Sequence, residues 1–165
     1  TAADAITVSP YLGYGSLTPA LNLAEANGRG VFVLALTSNP EGAGVQHAVN
    51  GDQAVAAGIV EGVTASNAQA RGEDRLGCIG LVIGATVGGA VSDLGIDLQR
   101  ANGPLLAPGV GAQGAGPAEL EAVFGAARRQ VLASTSRGVL KAGPSIEALR
   151  AAALAATHEA AAALR

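Results

Sequence analysis

Five short, continuously apolar runs, each followed by a longer stretch of helical composition, limit what this chain can fold into. DAITVS occupies 4–9 and stops at Pro10, and VFVLALT occupies 31–37 and stops at SNPEG. IGLVIG, PLLA and QVLA follow at 79–84, 104–107 and 130–133. A strand with one face in water alternates apolar and polar residues. These runs do not, so they read as strands covered on both faces, as in a parallel sheet. Helical periodicity fits 16–27, 51–71, 117–127 and 145–164, with Ser16, Pro117 and Ser145 suited to first turns. Segment 88–102 has room for one short helix. The last helix is expected to carry Leu149, Ala153, Ala156 and Ala160 on one face. A strand-then-helix order repeated five times describes an α/β protein with a parallel sheet.

Two architectures satisfy that order. One is an open five-stranded sheet with helices on both sides, for which 165 residues suffice. The other is part of an eight-fold βα barrel, which takes about 250 residues when whole. Length by itself favours the open sheet. Charged residues make up 14 % of the chain and hydrophobic ones 49 %, which excludes an intrinsically disordered segment. A net charge of −3 argues against a nucleic-acid partner. One cysteine rules out an internal disulfide and favours a reducing cytoplasm. No apolar run approaches the roughly 18 residues of a membrane span. The chain starts at Thr1 without a methionine, so either that methionine was removed or residues precede it.

In both architectures chemistry belongs at the carboxyl ends of the strands. After the fourth run comes PGVGAQGAG at 108–116, with Pro117 opening a helix. Glycines such as Gly109 and Gly111 let backbone N–H groups turn toward an anion, and a helix start adds partial positive charge. Gln113 is the loop's one hydrogen-bonding side chain. The pattern is neither a dinucleotide fingerprint after the first strand nor a Walker loop ending in Lys-Ser/Thr. After the fifth run, STSRG at 134–138 supplies Arg137, whose guanidinium can bind phosphate through paired hydrogen bonds, followed by Gly138. The two loops together match the phosphate site that barrel enzymes build from their last two βα connections. After the second run, TSNPEG at 37–42 offers Ser38 and Asn39 to a polar ring edge, although turn chemistry accounts for it equally well. Pro10-Tyr11-Leu12-Gly13 offers an apolar wall and one hydroxyl, and Gly84-Ala85-Thr86 leaves room for close approach. His47 and His158 read as surface residues and Cys78 as packing, so no metal set is expected. Lys141 is the only lysine, and no carboxylate pair is placed for acid–base work. The chain reads as a ligand-binding half whose reacting groups lie elsewhere.

DAITVSPYLGYGSL, GVFVLALTSNPEGAGVQ, IGLVIGAT, PLLAPGVGAQGAGP and STSRGVLKAGP resemble, in this order, the orotidine 5′-phosphate decarboxylases, most closely the longer-chain bacterial subgroup. The resemblance covers essentially residues 1–150. It implies the TIM (β/α)8 barrel, with the five strands here standing as its fourth to eighth, and 1–165 as the C-terminal part of one barrel domain. It implies that Gln113 and Arg137 hold the substrate's 5′-phosphate. Pro108, Gly109, Gly111 and Gly138 would belong to the phosphate loops, and Ser38 would stand at the pyrimidine edge. Ala115 departs from a loop that often carries a second glycine there. The family's Asp-x-Lys and the Asp that closely follows it, with the lysine and acidic residue of the first two strands, would precede this chain, so no catalytic residue is expected within it. The implied activity is decarboxylation of orotidine 5′-monophosphate to UMP and CO2, without metal or organic cofactor, in a cytoplasmic homodimer. The alternative is a non-catalytic phosphate- or nucleotide-binding α/β module.

Overall fold

All five apolar runs form strands, and each lies within a residue or two of its expected position. The computed structural model describes residues 3–111 and 114–165. In chain order the elements are β1 (Ala5–Val8), α1 (Thr18–Ala26), β2 (Gly30–Leu36), α2 (Ala43–Gln46), β3 (Val49–Asn50), β4 (Gln53–Ala54), α3 (Val55–Ser66) and α4 (Ala68–Gly72). They continue with β5 (Ile79–Ile83), α5 (Ala90–Asp93), β6 (Leu105–Pro108), α6 (Pro117–Phe124), β7 (Val131–Ser134), α7 (Arg137–Leu140) and α8 (Ile146–Ala163).

The main sheet has the order β1-β2-β5-β6-β7, and every pairing in it is parallel. Leaving out the β3–β4 hairpin, each strand pairs with the next one along the chain. A doubly wound sheet reverses direction at a switch point between its halves, and this sheet does not. Sequential parallel strands instead describe an arc of a βα barrel, the partial TIM barrel that the family resemblance implies, against the preference set by length alone.

The register sorts the strand residues into two layers. Val33, Leu81 and Leu105 stand in line on one side and are fully buried against α3 and α6 through Val63, Leu120 and Phe124. Leu34, Val82, Leu106 and Leu132 form the opposite layer, which in a whole barrel faces the interior. Burial falls toward the ends of the arc. All of β5 is buried, whereas Ile6 in β1 is 50 % exposed and Leu132 in β7 is 51 % exposed.

Asn67, at the end of α3, ties the amino-terminal ends of the strands together. Its Nδ2 donates to the carbonyls of Ile79 and Ala101, each at 2.8 Å, and the side chain is 2 % exposed. Gly77 and Gly103 admit it, because a Cβ at either would collide with the Asn67 side chain.

Several helices differ from expectation. The single helix expected over 51–71 is divided: the β3–β4 hairpin turns at Gly51, whose φ is 65°, and Asn67 separates α3 from α4. Segment 88–102 contains the four-residue α5, and α6 ends at Phe124, where Gly125 takes φ 43° and a 3-10 segment follows. On α8 the inward face includes Leu149, Ala152, Ala156 and Ala163, while Ala153 points to solvent. No helix among the described residues is long and apolar enough to cross a membrane.

Candidate functional site

A cleft of about 700 Å³ opens at the carboxyl ends of β6 and β7. Pro108, Gly109 and Gly111 line it from the β6 side, and Ser134 to Gly138, including Arg137, line it from the β7 side. Five of the seven expected binding residues therefore meet in one place: Pro108, Gly109, Gly111, Arg137 and Gly138. Gln113 lies outside the described residues. Sequence reasoning missed two further charged residues on the cleft, Lys141 just after α7 and Glu159 near the end of α8.

The β6 loop needs its glycines. Gly109 has φ 93° and Gly111 has φ 113°, backbone positions that residues with a Cβ rarely adopt. Three of the loop's described N–H groups turn to carbonyls of the loop itself. Ala115 N–H donates to the Gly109 carbonyl at 2.7 Å, Gly114 to Gly111 at 2.8 Å, and Gly111 to Ala115 at 3.3 Å. The start of α6 is also occupied, since the Glu119 carboxylate accepts from Gly116 N–H at 3.0 Å. A carboxylate at that position neutralises the partial charge of the helix start. Positive charge in the cleft thus comes from side chains rather than from the helix end.

Ser38 does not line the cleft. It stands farther along the same rim, after β2, exposed and packed against Gly84, where a Cβ would sit 3.2 Å from the Ser38 backbone nitrogen. Its neighbours are committed to one another. Thr37 N–H donates to Gln46 Oε1 at 2.9 Å, Gln46 Nε2 donates to Thr37 Oγ1 at 2.8 Å, and the Thr37 hydroxyl bonds Asn39. Asn39 therefore braces the loop, in keeping with the turn chemistry its sequence also suits, and Gln46 is the brace that sequence reasoning missed. Thr86 links the two parts of the rim, because its side chain lies 3.9 Å from the Cβ position at Gly109.

Tyr11 and His47 are exposed, as is His158. Cys78 is half-buried beside the core, and burial, followed by the negative charge of Glu25, pushes its thiol pKa up. Tyr14 is raised mainly by burial, and its hydroxyl pairs with Ser66 at 2.8 Å. Among the described residues no group of three or more His, Cys, Asp or Glu comes together to hold a metal ion.

The family model for orotidine 5′-phosphate decarboxylase / HUMPS proteins matches residues 1–152. The chain is 60 % identical over 153 residues to the orotidine 5′-phosphate decarboxylase of Streptomyces coelicolor, covering 92 % of this chain and 52 % of that protein. It is 56 % identical to the corresponding protein of Salinispora arenicola over 151 residues, again covering 52 % of that protein and 91 % of this chain. A crystal structure assigned to orotidine 5′-phosphate decarboxylase from Streptomyces avermitilis superposes with a TM-score of 0.88 at 57 % identity, covering 99 % of this chain and 55 % of that one. The Leishmania donovani OMP decarboxylase gives 0.73 at 31 % identity over 98 % of this chain and 57 % of its own. The chain spans about half the length of the curated relatives it matches.

Proposed function

The chain belongs to the orotidine 5′-phosphate decarboxylase / HUMPS family, and from that membership we propose that it is the C-terminal part of one βα-barrel domain that decarboxylates orotidine 5′-monophosphate. Its share of the work is to hold the substrate. Arg137 binds the 5′-phosphate together with Gln113 and the loop of Pro108, Gly109 and Gly111, while Gly138 lets the ligand approach the Arg137 backbone. Ser38 meets a polar edge of the pyrimidine. The observation that carries this reading is the convergence of the Gly109–Gly111 loop and Arg137 on one cleft at the carboxyl ends of adjacent parallel strands.

The reaction breaks the bond between C6 and the carboxylate carbon. CO2 departs, the electron pair stays at C6, and a lysine ammonium delivers a proton there to give UMP. That lysine and its surrounding carboxylates belong to the barrel strands that precede β1. Phosphate binding, remote from C6, still contributes to rate when its energy is realised in the transition state by fixing the ring against the reacting groups. The completed barrel works as a cytoplasmic homodimer.

Replacing Arg137 tests the assignment. Charge-assisted hydrogen bonds contribute roughly 1.5–3 kcal/mol each. In a barrel completed with its N-terminal half, Arg137→Ala should weaken orotidine monophosphate binding at least about tenfold, the lower end of that range. The phosphate-free nucleoside should lose far less. Equal losses for both ligands would remove Arg137 from the phosphate.

A further inference from the structure

Lys141 is the chain's only lysine, and the function proposed above does not use it. Its backbone N–H donates to the Arg137 carbonyl at 3.1 Å, closing one helical turn. Residues four apart on a helix project from the same side, and both side chains line the cleft. The opposite wall is α8, which presents Ala152, Ala155, Ala156 and Glu159. The alanines bring the helix close, and Glu159 brings a carboxylate: its Oε2 lies 3.7 Å from the Cβ position at Gly111.

The charges along the described walls decide what this cleft can hold. With Arg137 as the only cation, Glu159 would cancel it and the formal charge would be zero. Lys141 makes the sum +1. The loop N–H groups of Gly111, Gly114 and Ala115 are occupied by loop carbonyls, so these three add little to the attraction and the charged side chains matter more. A phosphate monoester carries roughly −1.5 to −2 charge at neutral pH and offers three acceptor oxygens. A guanidinium can pair with two of them in its plane, and an ammonium, which carries three donors, can meet the third.

We propose that Lys141 is a second cationic contact of this phosphate subsite and determines its preference for a dianion over a monoanion. The inference rests on the reading of the cleft as the phosphate subsite. Lys141 is exposed on the cleft wall, so replacing it leaves the core intact.

The test uses inorganic phosphate, with formate as the monoanion, titrated at neutral pH into a barrel completed by adding an N-terminal half to the labelled chain. Reductive methylation with carbon-13 labels Lys141 and the amino terminus alone, because the chain has no other lysine. Phosphate should shift the Lys141 resonance saturably. Lys141→Met should weaken phosphate about tenfold, the scale of one charge-assisted contact, and formate much less, while Lys141→Arg should restore most of the affinity. Arg137→Met should weaken phosphate at least as much. If Arg137→Met weakens phosphate but Lys141→Met does not, and the Lys141 resonance stays still, Lys141 has no part in a genuine phosphate subsite. If phosphate fails to bind the completed barrel, or Arg137→Met changes nothing, the phosphate reading itself falls and takes Lys141 with it.

Discussion

Ser38 and Cys78 show how differently a single residue's surroundings bear on chemistry. Ser38 sits exposed on a loop stiffened by Thr37, Asn39 and Gln46, and it is the residue proposed to meet the pyrimidine edge. A site that satisfies polar ring atoms rejects analogues lacking them, because its own groups are left unpaired. Ser38→Ala in a completed barrel should therefore lower discrimination among ring-modified nucleotides while leaving inorganic phosphate binding unchanged; unaltered ring selectivity would place Ser38 off the ring. Cys78 has the opposite character. Burial and Glu25 disfavour its thiolate, so its pKa is raised. Alkylation by iodoacetamide should be slower than for a free thiol peptide near neutral pH and should accelerate only at higher pH. The sign for stability follows from linkage: the protonated thiol is favoured in the fold, a contribution present below the unfolded pKa and lost as pH rises through the folded one. A rate equal to that of the free peptide would contradict a shielded thiol.

At the scale of elements, the amino-terminal ends of β5 and β6 depend on a side chain rather than on the sheet ladder. Asn67 satisfies the carbonyls of Ile79 and Ala101 from the end of α3, so one residue joins a helix to the strand starts. Asn67→Ala would leave both carbonyls without a partner and open a cavity. An unsatisfied buried polar group costs about 1–3 kcal/mol, so a loss of roughly 3 kcal/mol is expected, read as a lower urea midpoint. Hydrogen exchange should rise first at Ile79 and at the turn before β6. A midpoint within experimental error of the parent would mean that water replaces the amide without cost. The same element scale explains why helices were harder to place than strands. The β3–β4 hairpin carries the turn pair Gly51-Asp52, but its flanking strands of two residues each are too short to show a period of two.

At the scale of the molecule, the arc stops after five strands, and Ile6 and Leu132 remain half-exposed at its two ends. Unpaired parallel edges and an uncovered interior layer of Leu34, Leu106 and Leu132 invite association. The 165-residue chain should sediment as a dimer or larger species and show no turnover of orotidine monophosphate. Self-association is expected not to restore activity, since the sole lysine, Lys141, lines the cleft proposed for phosphate and leaves none for the reacting carbon. An N-terminal half supplied in trans should pair with both edges, reduce the self-association and recover activity. Turnover by the purified chain, with host enzyme excluded, would show that the reacting groups have been misplaced.

The strand positions, the α/β class and the pairing of a glycine loop with Arg137 were legible in the sequence because each depends on neighbours along the chain. Continuous apolar runs mark covered strands, and a loop that directly follows a strand inherits that strand's end of the sheet. Strand order was not legible. The same five runs suit an open sheet or a barrel arc; the family resemblance implied the barrel, and the sequential parallel pairing of β1, β2, β5, β6 and β7 agrees with it. Nor could spacing reveal Lys141 and Glu159 as walls of one cleft, since α8 reaches the β6 loop only after the helices pack. The glycine-rich character of the loop after β6 was recognisable, yet the hydrogen bonds of Gly111, Gly114 and Ala115 N–H within that loop were visible only in the fold. Local conformational preference acts over a few residues and is written in the chain. Which distant charges share a cleft depends on packing between elements, and that is decided only when the fold has formed.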